Sequence, residues 1–109
     1  MPNYSKNEIV LIAFPFSDLS SFKVRPAVIV NAPHISQDVF IVPLTSKTNN
    51  LLKGEFVLQE WKTAGLNVET AVKRGVFTIK ENLIKKNVGL LLHADSEELE
   101  KSLKLWLGF

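Results

Sequence analysis

The sequence predicts a mainly β protein: a small, strongly bent antiparallel barrel with one helix packed on it near the C-terminus. Two observations favour this fold class. Short apolar runs rich in β-branched residues recur between residues 8 and 92, separated by proline, glycine and polar residues. Beyond them the pattern changes to helical spacing behind an acidic start. The length of 109 residues suits one compact unit, so we expect a single domain spanning residues 1–109.

Each of the first three predicted strands contains a proline or is followed by one. Residues 8–14 form an almost wholly apolar strand, and Pro15 is expected to end it because proline cannot donate to a sheet ladder. Residues 24–31 form the second strand, in which Pro26 indicates an edge position or a bulge. Residues 39–42 form the third, and Pro43 is expected to end it.

The later elements are shorter, and one helix closes the chain. We expect helical turns at residues 61–65 and 80–83, the first of them stopped by Gly65. Asp95 or Ser96 is expected to cap a helix that runs to about residue 107. The remaining predicted strands cover residues 55–58, 68–72, 76–79 and 87–92. The apolar face of the predicted helix comprises Leu99, Leu103, Trp106 and Leu107.

Composition excludes several kinds of site. The chain has no cysteine, so disulfides, thiolate nucleophiles and cysteine-based zinc sites are ruled out, and the lack of disulfides fits a reducing cytoplasm. No apolar run approaches the ~20 residues of a membrane helix, and the polar residues 1–8 lack the apolar core of a signal peptide. We therefore expect a cytoplasmic protein without a membrane partner.

The small size of the chain favours a dimer. The net charge of +2 is no more than solubility requires, although a basic face on the protein would attract phosphates.

No common catalytic motif is present. The sequence has no glycine-rich phosphate loop and no metalloprotease motif. Its two histidines, His34 and His93, lie in different regions with no acidic residue at ligand spacing, so neither a metal nor a cofactor is expected.

Residues at the ends of two neighbouring predicted strands could together form a phosphate site. Arg25 directly precedes Pro26, and the hydroxyls of Thr45 and Ser46 follow the third strand. The planar donor fork of arginine suits a phosphate, and a nearby hydroxyl would hold another phosphate oxygen. The residues alone leave a structural alternative open, in which Arg25 pairs with an acid such as Asp18 and Thr45 caps a turn.

Other cations and one aromatic residue are secondary candidates. Phe16 could stack on a nucleobase or pack within its loop. Four cations are candidates for phosphate contacts or are ordinary solvated charges: Lys23, Lys47, Lys73 and Arg74.

Five segments in order resemble the MazF/PemK family of toxin endoribonucleases, and two of them resemble its PemK-like branch. The likeness runs from about residue 6 to residue 105, and its most specific part is the segment around Arg25 and Pro26. The segments are Glu-Ile-Val-Leu-Ile-Ala-Phe-Pro-Phe-Ser-Asp from residue 8, Lys-Val-Arg-Pro-Ala-Val-Ile-Val from 23, Val-Pro-Leu-Thr-Ser from 42, Trp-Lys-Thr-Ala-Gly-Leu from 61 and Gly-Val-Phe-Thr-Ile from 75.

The resemblance implies an SH3-like barrel, a homodimer and metal-independent cleavage of single-stranded RNA, restrained by a cognate antitoxin. It implies attack by the ribose 2′-OH, leaving a 2′,3′-cyclic phosphate and a 5′-OH. Arg25 matches the catalytic arginine and Thr45 the catalytic threonine. The loop of residues 16–23, which includes Ser17, matches the loop bordering the RNA site. The sequence departs from the family where Asn7 replaces a usual glycine and Lys80 a frequent acid.

Two other functions remain open at this stage. One is a gyrase poison of the same fold, as in the CcdB family, which needs no site for an RNA phosphate. The other is a non-catalytic SH3-like module that binds RNA or protein without cutting it.

Overall fold

In the computed structural model, which describes residues 4–15, 22–31 and 38–109, antiparallel strands and a C-terminal helix form the fold. The path of strands follows the order β4-β5-β3-β2-β1-β7, and β6 pairs with the other end of β3. The fold is therefore mainly β with one helix, as predicted, and the bent sheet is barrel-like but open. The elements are β1 (Glu8–Pro15), β2 (Phe22–Ile29), β3 (Val39–Thr45), β4 (Phe56–Val57), β5 (Ala71–Val72), β6 (Phe77–Ile79), β7 (Ile84–Leu90) and α1 (His93–Leu107).

Of the two prolines predicted to end a strand, Pro15 does so and Pro43 does not. Pro15 is the last residue of β1 and lies opposite Phe22. Pro43 lies within β3 opposite Ala27, and its carbonyl accepts a hydrogen bond of 2.9 Å from the Lys73 N–H. Proline lacks only the donor, so a strand continues wherever the partner requires just the carbonyl.

Pro26 lies in a central strand but at a locally unpaired edge. Pairing of β2 with β1 runs through Pro26, which is opposite Leu11. Pairing of β2 with β3 covers only Ala27 to Ile29, so the side of β2 that faces β3 is open at Pro26. The edge interpretation therefore holds locally, because no ladder to β3 is interrupted there.

Apolar residues alternate along the long strands and build two cores, one on each face of the sheet. Ile9, Val28 and Val42 lie in the core that α1 covers, together with Leu99 of the helix. The neighbouring residues of the same strands point into the second core. These are Val10, Ile12, Ala27, Ile29, Val39 and Ile41, joined by Ile79 and Ile84.

The helix begins earlier than predicted, and Asp95 has a different role. Leu92 is the N-cap and makes no side-chain cap, so neither Asp95 nor Ser96 caps the helix. The Asp95 carboxylate, 1% exposed, instead accepts hydrogen bonds from the N–H groups of Gln59 (2.8 Å) and Glu60 (3.0 Å). A capping-like sequence thus anchors a distant turn to the helix.

The apolar face of α1 is narrower than the sequence predicts. Leu99 is buried, whereas Leu103 and Trp106 are half-buried against the same core. Leu107 is 53% exposed, so its assignment to that face was wrong. It stands at the end of the helix, where Gly108 takes a left-handed cap conformation.

The strand β7 begins at Ile84 rather than at residue 87. The turn at residues 61–65 packs closely against it, backbone to backbone. The predicted turn at 61–65 is stopped by Gly65, whose φ of +105° is in the left-handed region. A Cβ on Gly89 would come within 1.8 Å of the Ala64 carbonyl oxygen. This turn therefore lies directly on β7. Asn7, where the family usually has glycine, adopts a φ of +75°, a conformation that asparagine tolerates better than most residues.

Candidate functional site

A groove of about 910 Å³ is bordered by the free side of β2, the end of β3 and β7. It combines residues that are far apart in the sequence. The described residues that line it are Leu11, Arg25, Pro26, Pro43, Leu44, Thr45, Ser46, Lys47, Gly65, Leu66, Asn67, Val68, Thr70, Lys73, Phe77, Lys86, Asn87 and Val88.

Strand register sets the floor of the groove. Leu11 of β1 lies opposite Pro26 on one side and opposite Lys86 on the other. These three residues therefore form a row across β2, β1 and β7, with neighbouring strands about 4.8 Å apart. The open edge of β2 at Pro26 leaves space beside this row, and Arg25 lies next to that space.

Arg25 is exposed on β2, opposite Ile12 of β1. Among the described residues it takes part in none of the ion pairs, which all lie elsewhere on the surface. Its proposed alternative partner, Asp18, lies outside the described residues. The guanidinium is therefore placed to meet an anion entering the groove.

Thr45 also lines the groove and is half-buried as the last residue of β3. It pairs with Ala71 of β5. Its Oγ1 accepts a hydrogen bond of 3.1 Å from the Lys47 N–H. A hydroxyl that accepts from the backbone still has its own proton to donate, so Thr45 is suited to hold an anionic oxygen.

The groove concentrates positive charge. Arg25, Lys47, Lys73 and Lys86 all line it, whereas no Asp, Glu or His is found among its described lining residues. The net charge of the whole chain is only +2, so the described part of the groove is far more basic than the protein as a whole. Within the described ranges, no group of three or more potential metal ligands occurs.

Residues 65–68 form one wall of the groove and make contacts on two sides. Buried Thr70 donates a hydrogen bond of 2.8 Å from its hydroxyl to the Val68 carbonyl. On the other side, a Cβ on Gly65 would come within 2.4 Å of the Val88 carbonyl oxygen. The wall therefore contacts β7 backbone to backbone, and it presents Leu66, Asn67 and Val68 to the groove.

Arg74 does not join the groove, unlike the other predicted residues that the structure describes. Its backbone N–H instead donates to Glu55 Oε2 at 2.8 Å, and the Leu52 N–H donates to Glu55 Oε1 at 2.7 Å. Partial burial raises the pKa of Glu55, but these two hydrogen bonds and the charges of Lys73 and Arg74 outweigh it and lower the pKa below 4.5.

The remaining sequence candidates fall outside the groove or outside the described part of the chain. Phe16, Ser17, His34 and the side chain of Lys23 are not among the described positions. His93 is exposed at the start of α1, and its Nε2 lies 3.0 Å from Oε1 of Glu97, so an acidic residue does stand one helical turn from this histidine, contrary to the expectation from the sequence. The structure brings together Arg25 and four other predicted residues: Thr45, Ser46, Lys47 and Lys73.

Sequence reasoning missed several residues of the groove. Lys86, Asn67 and Asn87 belong to no motif, and Phe77 lies in a family-like segment without a predicted role in the site. The register of β7 against β1 is the signal that brings Lys86 to the groove, and it is not visible in a single sequence.

Comparison with known proteins gives one family and several related folds. The family model described as PemK-like, MazF-like toxin of type II toxin–antitoxin systems matches residues 5–107. No curated protein gives a significant match to the sequence.

Three similar solved structures come from mycobacteria. An endoribonuclease in complex with its cognate antitoxin has a TM-score of 0.79 and 15% identity, covering 97% of this chain and 96% of that chain. The Mycobacterium tuberculosis toxin MazF-mt6 has a TM-score of 0.74 and 21% identity, covering 94% and 97%. Another endoribonuclease has a TM-score of 0.76 and 18% identity, covering 100% and 95%. At these identities the three structures show a shared fold.

Proposed function

Because the chain belongs to the PemK-like, MazF-like toxins of type II toxin–antitoxin systems, we propose that it is an endoribonuclease that cuts single-stranded RNA in the groove between Arg25 and Thr45. The family match extends over nearly all of the chain and agrees with the resemblance found in the sequence. It also supports a toxin domain that spans residues 1–109, and a cognate antitoxin as partner.

The observation that carries the proposal is the charge of the groove. Four cations and no acidic residue line its described part. An RNA strand brings one negative charge per nucleotide, so this groove attracts the backbone without any reading of sequence. The same charges repel a divalent cation, which favours a reaction without a metal. RNA as the substrate further favours a location in the cytoplasm.

The proposed reaction is an internal transesterification. The ribose 2′-oxygen attacks the adjacent phosphorus and loses its proton, and the 5′-oxygen of the next nucleotide leaves and gains a proton. The products are a 2′,3′-cyclic phosphate and a free 5′-OH. The nucleophile belongs to the substrate, so the protein needs no serine or cysteine nucleophile, and DNA, which lacks the 2′-OH, is not cut.

The protein contributes mainly electrostatic stabilisation. As the 2′-oxygen attacks, negative charge accumulates on the non-bridging oxygens of the phosphorane. Arg25 stabilises that charge with its fork of donors, and the Thr45 hydroxyl donates to a second oxygen and fixes the orientation of the phosphate. Arginine is protonated throughout the physiological pH range, so Arg25 is assigned to charge stabilisation rather than to proton removal.

Product chemistry tests this proposal against its two rivals. Purified protein is incubated with end-labelled single-stranded RNA and with DNA of the same sequence, in the presence of a chelator, beside a gyrase supercoiling assay. We expect RNA fragments that end in a cyclic phosphate, intact DNA and unaffected gyrase. Inhibited gyrase without RNA cleavage would support a gyrase poison, and binding without cleavage would support a non-catalytic module. Loss of cleavage with the chelator would contradict the metal-free reaction.

A homodimer is the assembly that we propose in solution. The small size of the chain and its family both favour it. Sedimentation at micromolar concentration gives the mass directly, and a monomeric mass at all concentrations would contradict it.

A further inference from the structure

Phe77 is the one aromatic side chain among the described residues that line the groove. It lies on β6 opposite Ile41 of β3, which is completely buried, yet Phe77 itself is 47% exposed. The sheet thus fixes the backbone of Phe77 beside a core residue while the ring extends beyond the core. The ring then lies in the same groove as Arg25 and Lys73.

Gly75 helps to define where the ring lies. A Cβ on Gly75 would come within 2.9 Å of Phe77 Cε2 and 3.3 Å of Cζ. Gly75 also has a φ of +139°, which a residue with a side chain rarely adopts. Glycine at this position therefore lets the ring settle against the backbone, with its exposed part toward the groove.

We infer that Phe77 is a stacking platform for one base of the RNA strand whose phosphates the groove cations hold. In single-stranded RNA the bases are accessible, and proteins that bind it combine a basic groove with aromatic rings on which bases stack. The groove supplies four cations for the backbone and one ring for a base. An apolar peptide segment would gain nothing from those cations. The inference rests on the proposed function and adds a base subsite to it.

Substitutions that separate aromatic character from bulk test the platform. Phe77→Ala and Phe77→Leu remove the ring, whereas Phe77→Tyr keeps it. Phe40→Ala is the matched control, because Phe40 is 43% exposed on the paired strand β3 and does not line the groove. Gly75→Ala is a second variant, expected to displace the ring while leaving it in the chain.

Affinity is measured for a single-stranded DNA oligonucleotide, which lacks the reactive 2′-OH, and for an abasic strand with the same phosphates. We expect Phe77→Ala and Phe77→Leu to bind the base-containing strand about 5- to 150-fold more weakly. Phe77→Tyr and Phe40→Ala should bind like the parent. On the abasic strand all variants should be equal, because the cations are unchanged.

The outcomes distinguish the inference from the function on which it rests. If the parent cuts RNA and Phe77→Ala binds the base-containing strand as tightly as the parent, the base subsite is wrong and the nuclease stands. An equal loss on the abasic strand would likewise overturn it, since Phe77 would then act through the shape of the groove. If the parent neither cuts RNA nor binds either strand, both proposals fall together.

Discussion

Lys86 offers a quantitative test of the groove as the path of the RNA backbone. It projects from β7 into the groove, whereas its neighbour Lys85 carries the same charge on the same strand and does not line it. The two lysines are both exposed. Replacing each by alanine therefore compares one cation inside the groove with one outside it, at nearly constant net charge and fold.

The expected size of the effect follows from counting charges. Each phosphate neutralised by a cation adds about 0.7 to the slope of log affinity against log salt for a single strand. The four cations of the described groove therefore predict a slope of about −2.8 when all contact phosphates. Raising the salt concentration from about 50 to 200 mM then weakens binding about 50-fold for the parent. For Lys86→Ala the predicted slope is about −2.1, a loss of about 20-fold over the same range.

The assay is fluorescence anisotropy with a labelled single-stranded DNA oligonucleotide, which lacks the 2′-OH and stays intact. The parent, Lys86→Ala and Lys85→Ala are titrated at four or more salt concentrations. Lys85→Ala should keep the slope of the parent. Equal slopes for the parent and Lys86→Ala, or equal losses for the two lysine variants, would refute the assignment of the backbone path to this groove.

Two further predictions concern stability. The lowered pKa of Glu55 means that its contribution to the free energy of unfolding is complete above about pH 4.5 and is lost as the pH falls through the lower folded-state value. Acid unfolding monitored by circular dichroism should show this loss in the parent and much less of it in Glu55→Gln. Identical acid profiles for the two proteins would contradict this prediction. Asp95→Ala leaves two backbone N–H groups without their buried charged acceptor, so we expect a loss of about 3 kcal/mol or more in denaturant unfolding, against less than about 0.5 kcal/mol for exposed Glu98→Ala on the same helix. A loss at Asp95 as small as at Glu98 would show that this tether contributes little.

The strand pattern could be predicted because burial on two faces imposes it. The runs that begin at Ile9, Val28 and Ile41 are apolar at consecutive positions, since alternate residues enter different cores. The strand ends could not be predicted from proline alone. Pro43 remains in β3 because the neighbouring segment needs only its carbonyl, which accepts a hydrogen bond from the Lys73 N–H.

Of the residues that line the candidate site, the sequence predicted Arg25, Thr45, Ser46, Lys47 and Lys73. Arg25 and Thr45 stood at predicted strand ends and proved to share one groove. Lys86 and Phe77 enter that groove through pairing with distant strands, which hydrophobic periodicity does not report. Arg74 shows the converse, because it does not line the groove although it is adjacent to Lys73, and its backbone N–H donates to Glu55.

Single-turnover cleavage of RNA by Arg25→Ala and Thr45→Val tests the central claim most directly. Both variants are first shown to fold by circular dichroism, and Lys85→Ala serves as the control at an exposed cation outside the groove. Removal of a donor that stabilises developing charge should slow Arg25→Ala on the order of 100- to 1,000-fold, and Thr45→Val should be slowed at least about tenfold. Cleavage by both folded variants at the rate of the parent would contradict the account, because the reaction would then take place outside this groove.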